Sequence, residues 1–190
     1  VLFRSYNNNA YRISDETLHF NGKSTLISLQ NGGGKSVLVQ MLTAPFVHPK
    51  YRNTKDRLFE SYFTTNKPSF ILVEWALDQG AGYVLTGLMV RKSQDMEEDR
   101  KENLDIIGIV SEYQSPCIQD IHHLPVVEKG KKEMILKNFN SCRQLFETYK
   151  KDRDMKFFYY DLTNYAQSRQ YFNKLMEYQI NYKEWETIIK

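Results

Sequence analysis

"HFNGKSTLISLQNGGGKSVLVQ", running from His19 to Gln40, contains Gly-Lys-Ser twice, at Gly22-Lys23-Ser24 and at Gly34-Lys35-Ser36. Gly-Lys-Ser closes phosphate-binding loops, and such a loop works only in context. Its glycines let consecutive backbone N–H groups point inward with no Cβ in the way. The helix that follows adds its N-terminal dipole and its unbonded first-turn amides. Lysine reaches the outer phosphates, and the last hydroxyl coordinates magnesium. A strand must therefore precede the glycines, and a helix must follow them.

The first copy lacks the helix. Ser24 is followed by Thr25-Leu26-Ile27-Ser28-Leu29, a β-type run, and Thr17-Leu18-His19-Phe20 precedes it. Asn21-Gly22 between them is the favoured dipeptide of a tight hairpin, so two strands and a turn are expected, with Lys23 an ordinary exposed turn residue. The second copy has both neighbours. The strand expected over 25–29 leads through Gln30-Asn31-Gly32-Gly33-Gly34-Lys35-Ser36 into "SVLVQMLTAPFV". That nearly unbroken apolar run predicts a helix buried against a sheet and ended at Pro45. The strict G-x-x-x-x-G-K-[ST] pattern wants glycine where Leu29 stands. The implied ligand is a nucleoside triphosphate with magnesium.

Further along, residues 48–68 are polar and basic and predict a loop with a short amphipathic helix. "FILVEWAL" (70–77) and "YVLTGLMVRK" (83–92), joined by "DQGAG", predict a β-hairpin. Residues 91–105 carry ten charges of both signs in fifteen positions and read as a solvated turn. A strand is expected over 106–113. From about 133 the pattern becomes helical, with Ile135, Phe139, Cys142, Phe146 and Tyr149 on one stripe. Residues 156–164 predict one more short strand, and 165–190 predict helices. The order gives an α/β fold with a mixed sheet and an antiparallel annex.

Composition sets the outer bounds. The chain has 190 residues, 41% of them hydrophobic and 14% aromatic, enough for a real core and against wholesale disorder. Net charge of +3 makes no case for nucleic acid without clustering. Cys117 and Cys142 have no metal or redox spacing, which points to two reduced thiols in a cytoplasmic protein. No run approaches the ~18 apolar residues of a membrane helix, and no signal peptide is apparent. "VLFRS" lacks an initiator methionine and matches the translation of a sequencing-adapter end, so residues 1–5 are expected to be partly non-native. "KEWETIIK" places Trp185, Ile188 and Ile189 at helical spacing, so the helix is expected to continue past Lys190.

The elements "F-R-S-Y", "L-H-F-N-G" and "T-L-I-S-L-Q-N-G-G-G-K-S" together resemble the opening of the SMC (structural maintenance of chromosomes) ATPases. The SMC-like DNA-repair ATPases and the MukB-like group share it. Asn31 matches the asparagine that precedes the loop glycines in this branch, and "VEWALDQGAGYVLTGL" resembles the antiparallel hairpin after the first helix. The likeness spans roughly residues 3–113 and is specific mainly over 18–44, with Leu29 as its main departure. Phe3-Arg4-Ser5 overlaps the start expected to be non-native.

That resemblance implies a P-loop NTPase, an ABC-type ATPase head split by a long coiled coil. Residues 6–164 would be the N-terminal lobe and 165–190 the start of the arm. Gly32, Gly33, Gly34, Lys35 and Ser36 would hold the phosphates of ATP, Lys35 the outer ones. Ser36 would bind Mg2+, and Val37 would add a backbone N–H. The partners implied are the C-terminal half-head, a second head in a homodimer, and DNA. No membrane partner is implied, and the setting is cytoplasmic or nucleoid-associated.

The remaining catalytic set is not apparent. No S-G-G signature occurs. Two apolar runs end in an acid, at Glu74 and Asp161. Glu74 shares a strand face with Phe70, Leu72 and Ala76 and reads as a polar niche. Asp161 better imitates a Walker B aspartate, although Leu162-Thr163 brings no catalytic acid. Gln167 and Gln179 are candidates for a Q-loop glutamine. His122-His123 reads as solvated loop, because adjacent histidines point in different directions. The aromatics of 157–182 could stack bases, but helix packing explains them more simply. If Asp161 holds the metal, the chain is a small P-loop kinase or phosphotransferase. A nucleotide-binding interaction module without catalysis is a third possibility.

Overall fold

The computed structural model describes residues 2–7, 12–32, 34–55, 57–94, 103–115, 126–132, 134–181, 183–184 and 187. In chain order the elements are β1 (Leu2–Asn7), β2 (Arg12–Thr17), α1 (Lys35–Thr43), β3 (Ser69–Ala76), β4 (Tyr83–Lys92) and β5 (Leu104–Tyr113). There follow β6 (Val127–Lys129), β7 (Met134–Leu136), α2 (Phe139–Lys151), β8 (Phe157–Asp161) and α3 (Tyr165–Glu177). The chain is mixed α/β. One sheet has the strand order β2-β1-β3-β4-β5-β8, and β6 with β7 forms a separate two-stranded ribbon.

Every pairing in the large sheet is antiparallel among the described residues, where the sequence predicts a mixed sheet. For β3 and β4 the cause lies in the connection. β3 reaches β4 through the short Leu77–Gly82 turn, and Leu77 N–H donates to the Gly82 carbonyl at 2.9 Å. A link of that length can only reverse the chain, whereas parallel strands need a crossover of a dozen residues or more. Gln79, Gly80 and Gly82 carry the turn at positive φ (58°, 73° and 104°). The predicted hairpin forms, its first strand shifted by one residue and its second as predicted.

Alternation along the strands separates two cores. On one side Ile71, Val73, Val84, Leu88, Val90, Ile106 and Val110 meet Met41 and Ala44 of the α1 segment and Tyr171, Phe172 and Leu175 of α3. On the other, Phe70, Leu72, Met89, Ile107, Ile109, Phe157 and Tyr159 meet Phe139, Cys142 and Phe146 of α2. Each Val, Leu, Ile, Phe or Met among them contributes roughly 1.5–3 kcal/mol by leaving water.

Several boundaries differ from the sequence reading. The helix expected from 133 starts at Phe139, where Asn138 caps it by accepting from Ser141 N–H. Ile135 belongs to β7 and is 43% exposed, so it is not part of the α2 stripe. The charged tract over 91–105 is a solvated turn only in part. Arg91 and Asp105 stand opposite each other on β4 and β5 and form a half-buried ion pair of 2.7 Å. Residues 48–68 form two short 3-10 turns, at Pro49–Tyr51 and Phe59–Tyr62, and they bury Arg52, Phe59, Tyr62 and Phe63.

The helical segment expected over 165–190 is interrupted. α3 ends where Gln179 takes φ 62°. Ile180 N–H bonds back to the Leu175 carbonyl at 3.1 Å and Gln179 N–H to the Met176 carbonyl at 3.0 Å. This pair of reversed bonds closes the helix, and Ile180 tucks into the same core as Leu175. A continuous arm over this stretch, as a coiled coil requires, is not seen in the described residues. Among the described residues no helix is long and apolar enough to cross a membrane.

Candidate phosphate-binding loop

The first Gly-Lys-Ser is a turn, as its sequence predicts. Asn21 and Gly22 both have positive φ (51° and 64°), the sign that a tight primed turn requires. Lys23 N–H donates to the Phe20 carbonyl at 2.9 Å. The flanking strands do not follow. β2 stops at Thr17, and residues 24–30 carry neither helix nor strand. A strand exists by its ladder, and among the described residues no backbone pairs with 25–29. Leu26 is left 95% exposed and Ile27 38%.

The second copy opens directly into α1. Gly32 and Gly34 sit at φ 82° and 81°, a region that side-chain-bearing residues rarely enter, and a Cβ at either would meet nothing within 4 Å. Glycine is required here by backbone conformation, not by crowding. Gly33 lies outside the described residues. Gly34 is the N-cap of α1 and brings no side-chain acceptor to the first-turn amides. Those N–H groups and the positive end of the helix are what an anion would meet.

Lys35 closes the loop on itself. Its ammonium donates to the Leu29 carbonyl at 2.9 Å and to Asn31 Oδ1 at 3.3 Å. Leu29 enters only through its backbone oxygen, so the residue that departs from the glycine pattern takes part without its side chain. Ser36 is exposed, and Val37 is half-buried against the α1-side core. The structure thus brings together Asn31, Gly32, Gly34, Lys35, Ser36 and Val37. The helix behind them is only partly the buried helix the sequence predicts. Gln40 and Met41 are buried, while Val39 is 55% exposed.

Gln40, behind the loop, is not singled out by the sequence reading. Its Nε2 donates to the Arg52 carbonyl at 2.5 Å, and its Oε1 accepts from Tyr62 Oη–H at 2.8 Å. This buried clamp fixes α1 against the following turns. A glutamine inside the apolar run "SVLVQML", one turn after Ser36, is the signal that could have pointed to it.

The acidic candidates stand elsewhere. Asp161 lies opposite Ile107 on the edge strand β8, on the side of Phe157 and Tyr159. Its Oδ1 accepts from Thr163 N–H at 3.0 Å and from Thr163 Oγ1–H at 2.6 Å, which builds the turn into α3. Glu74, opposite Leu85, faces the same side and accepts from the Tyr113 hydroxyl. Both acids are on the α2 side of the sheet, and α1 is on the other.

Gln167 and Gln179 also hold structural posts. Gln167 Oε1 accepts from Asp161 N–H at 2.9 Å. Gln179 is the exposed left-handed residue that ends α3. Among the described residues no group of three His, Cys, Asp or Glu side chains could hold a metal ion. His122, His123 and Cys117 lie outside the described residues. Cys142 is buried, and that burial pushes its thiol up to about 12.

No protein-family model, no curated protein and no solved structure matches the chain. The functional reading therefore rests on the loop itself.

Proposed function

We propose that this chain is the ATP- and Mg2+-binding N-terminal lobe of an SMC-like, ABC-type ATPase head. The observation that carries the reading is the loop at 31–36: two glycines in left-handed conformation running straight into an uncapped helix, with the Lys35 ammonium held over the loop backbone. Backbone amides, helix dipole and one lysine cation are the parts from which a triphosphate site is made. Ser36, in the first turn, supplies the hydroxyl for magnesium.

Hydrolysis belongs to a larger assembly on this reading. In-line attack by water needs a positioned base and charge stabilisation on the γ-phosphate. Glu74 and Asp161 are engaged on the far side of the sheet. The missing groups come from the C-terminal half-head and from a second head in a homodimer acting on DNA, in a cytoplasmic or nucleoid-associated setting. The unladdered segment 25–29, with Leu26 and Ile27 exposed, is where that half-head would add backbone partners and apolar cover. The alternative, a small phosphotransferase with Asp161 on the metal, is less well supported, because that carboxylate already serves the β8–α3 turn.

The test is binding of a fluorescent ATP analogue with magnesium, alongside phosphate release. The reading expects binding that is lost in Lys35→Ala and kept in Lys23→Ala, with negligible turnover by the isolated chain. Equal losses in the two variants would refute the loop assignment, and brisk turnover would favour the phosphotransferase.

A further inference from the structure

Asn-Gly occurs twice in this chain, at Asn21-Gly22 and Asn31-Gly32, and the two pairs stand in different surroundings. In such a pair the glycine backbone nitrogen can close a five-membered ring on the asparagine Cγ, and no glycine Cβ hinders the approach. Asn21 is held for other work. It sits left-handed at φ 51° in a turn pinned by the 2.9 Å bond from Lys23 N–H to the Phe20 carbonyl. Asn31 and Gly32 are exposed residues outside any helix or strand. Nothing lies within 4 Å of the place a Cβ on Gly32 would take, so the ring has room to form.

Asn31 also carries a cation on its side-chain carbonyl. The Lys35 ammonium donates to Asn31 Oδ1 at 3.3 Å. It polarises the Cγ–Oδ1 bond and stands where negative charge develops when a nitrogen adds to Cγ. The same ammonium is anchored on the Leu29 carbonyl at 2.9 Å, so it is in place before the reaction begins. Among the described residues no hydrogen bond reaches the Asn21 side chain.

From this arrangement we infer that Asn31-Gly32 is a self-modifying deamidation site, assisted by Lys35, whose products disable the loop. The Gly32 nitrogen gives its proton to solvent and bonds to Asn31 Cγ. The Cγ–Nδ2 bond then breaks, and Nδ2 leaves as ammonia with a proton taken from water. A water molecule opens the succinimide at one carbonyl or the other, giving aspartate or isoaspartate at position 31. Either product sets a carboxylate where the amide met Lys35. A carboxylate holds that ammonium more strongly than an amide oxygen does, and it repels phosphate. Isoaspartate also lengthens the loop backbone by one carbon, which displaces the amides that follow. The effect on the loop rests on the ATP reading proposed above, whereas the modification itself does not. A bound triphosphate, competing for the Lys35 N–H groups, slows the reaction, so the empty loop ages and the filled one is spared.

The experiment incubates the native chain at mildly alkaline pH, with and without ATP and magnesium, and maps tryptic peptides by mass over time. Trypsin separates the two pairs, onto residues 13–23 and 24–35. The acid should form at Asn31 several-fold faster than at Asn21, and ATP should slow the first without touching the second. Lys35→Met should slow the reaction at Asn31 about three- to tenfold and leave Asn21 unchanged. Asn31→Asp should weaken binding of the fluorescent ATP analogue about tenfold, beyond any loss in Asn31→Ala. Equal rates at the two pairs in the native chain would overturn the site. So would a rate at Asn31 that Lys35→Met leaves unchanged or raises, since the contact would then shield the amide. Binding by Asn31→Asp equal to that of Asn31→Ala would overturn the effect on the loop. If the native chain binds no ATP while Asn31 still reacts fast and through Lys35, the ATPase reading falls and the modification site stands.

Discussion

The Lys35 ammonium lies 2.9 Å from the carbonyl oxygen of Leu29, six residues upstream, and the loop between them is closed by that contact. On the proposed reading, a triphosphate would compete for the lysine's three N–H groups with this oxygen and with Asn31 Oδ1, 3.3 Å away. Charge-assisted hydrogen bonds to phosphate are worth about 1.5–3 kcal/mol. Lys35→Ala should therefore weaken ATP binding roughly 10- to 100-fold. Asn31→Ala removes only the longer of two acceptors and should change affinity by less than about fivefold. Lys23→Ala, in a turn of its own, should leave it unchanged. Titration calorimetry with ATP and magnesium checks all three.

Gly108 is a packing requirement of the α1–α3 side. A Cβ there would sit 2.7 Å from Tyr171 Cδ2 and 3.1 Å from Leu162 Cδ2. Tyr171 is fully buried and cannot swing away without breaking its 2.7 Å hydrogen bond to the Pro45 carbonyl. Gly108→Ala should cost about 1–3 kcal/mol through overpacking. Tyr171→Phe leaves the Pro45 oxygen unpartnered and should cost about 1–2 kcal/mol. Urea midpoints measure both, and Gly108→Ala combined with Tyr171→Leu should recover part of the loss.

The Gln40 clamp gives a coupled prediction. Tyr62→Phe removes the donor to Gln40 Oε1, and Gln40→Leu leaves both the Tyr62 hydroxyl and the Arg52 carbonyl without that partner. Each should destabilise by about 1–3 kcal/mol. The double variant should lose less than the sum, because the two side chains share one bond. Strict additivity in denaturant unfolding would mean that the clamp contributes nothing as a unit.

Local signals were the legible ones. Asn21-Gly22 carries its turn, Gly34-Lys35-Ser36 its helix start, and 70–92 its hairpin, because each depends on backbone conformation or alternation within a few residues. What the sequence misplaced depends on distant partners. Residues 25–29 are as β-prone as β4, yet a strand needs a neighbour, and none among the described residues pairs with them. Asp161 follows an apolar strand as a Walker B acid does. Only the face assignment of β8, set by pairing with β5, turns it toward α2. Gln179 is a Q-loop candidate by its place in the sequence, and its positive φ, which ends α3, is not legible there.

The Cys142 thiol supplies a test of the α2 core through pH. Burial raises it from its ordinary value of 9.0 to about 12, with Lys137 opposing and Glu128 adding. An acid raised by folding stays neutral in the native state and ionises first in the unfolded chain. Its contribution is complete below pH 9 and is lost as pH climbs from 9 toward 12. Tyr171, also raised by burial from 10.0, adds the same trend one unit higher. Urea midpoints of the native chain should thus fall between pH 9 and 10 more steeply than those of Cys142→Ala, which starts from a lower baseline because of the cavity it leaves. Parallel declines in the two proteins would show that the thiol is not held neutral by the core. Mass mapping after iodoacetamide at pH 8 gives an independent readout: Cys142 should remain unmodified in the native chain and react fully in urea.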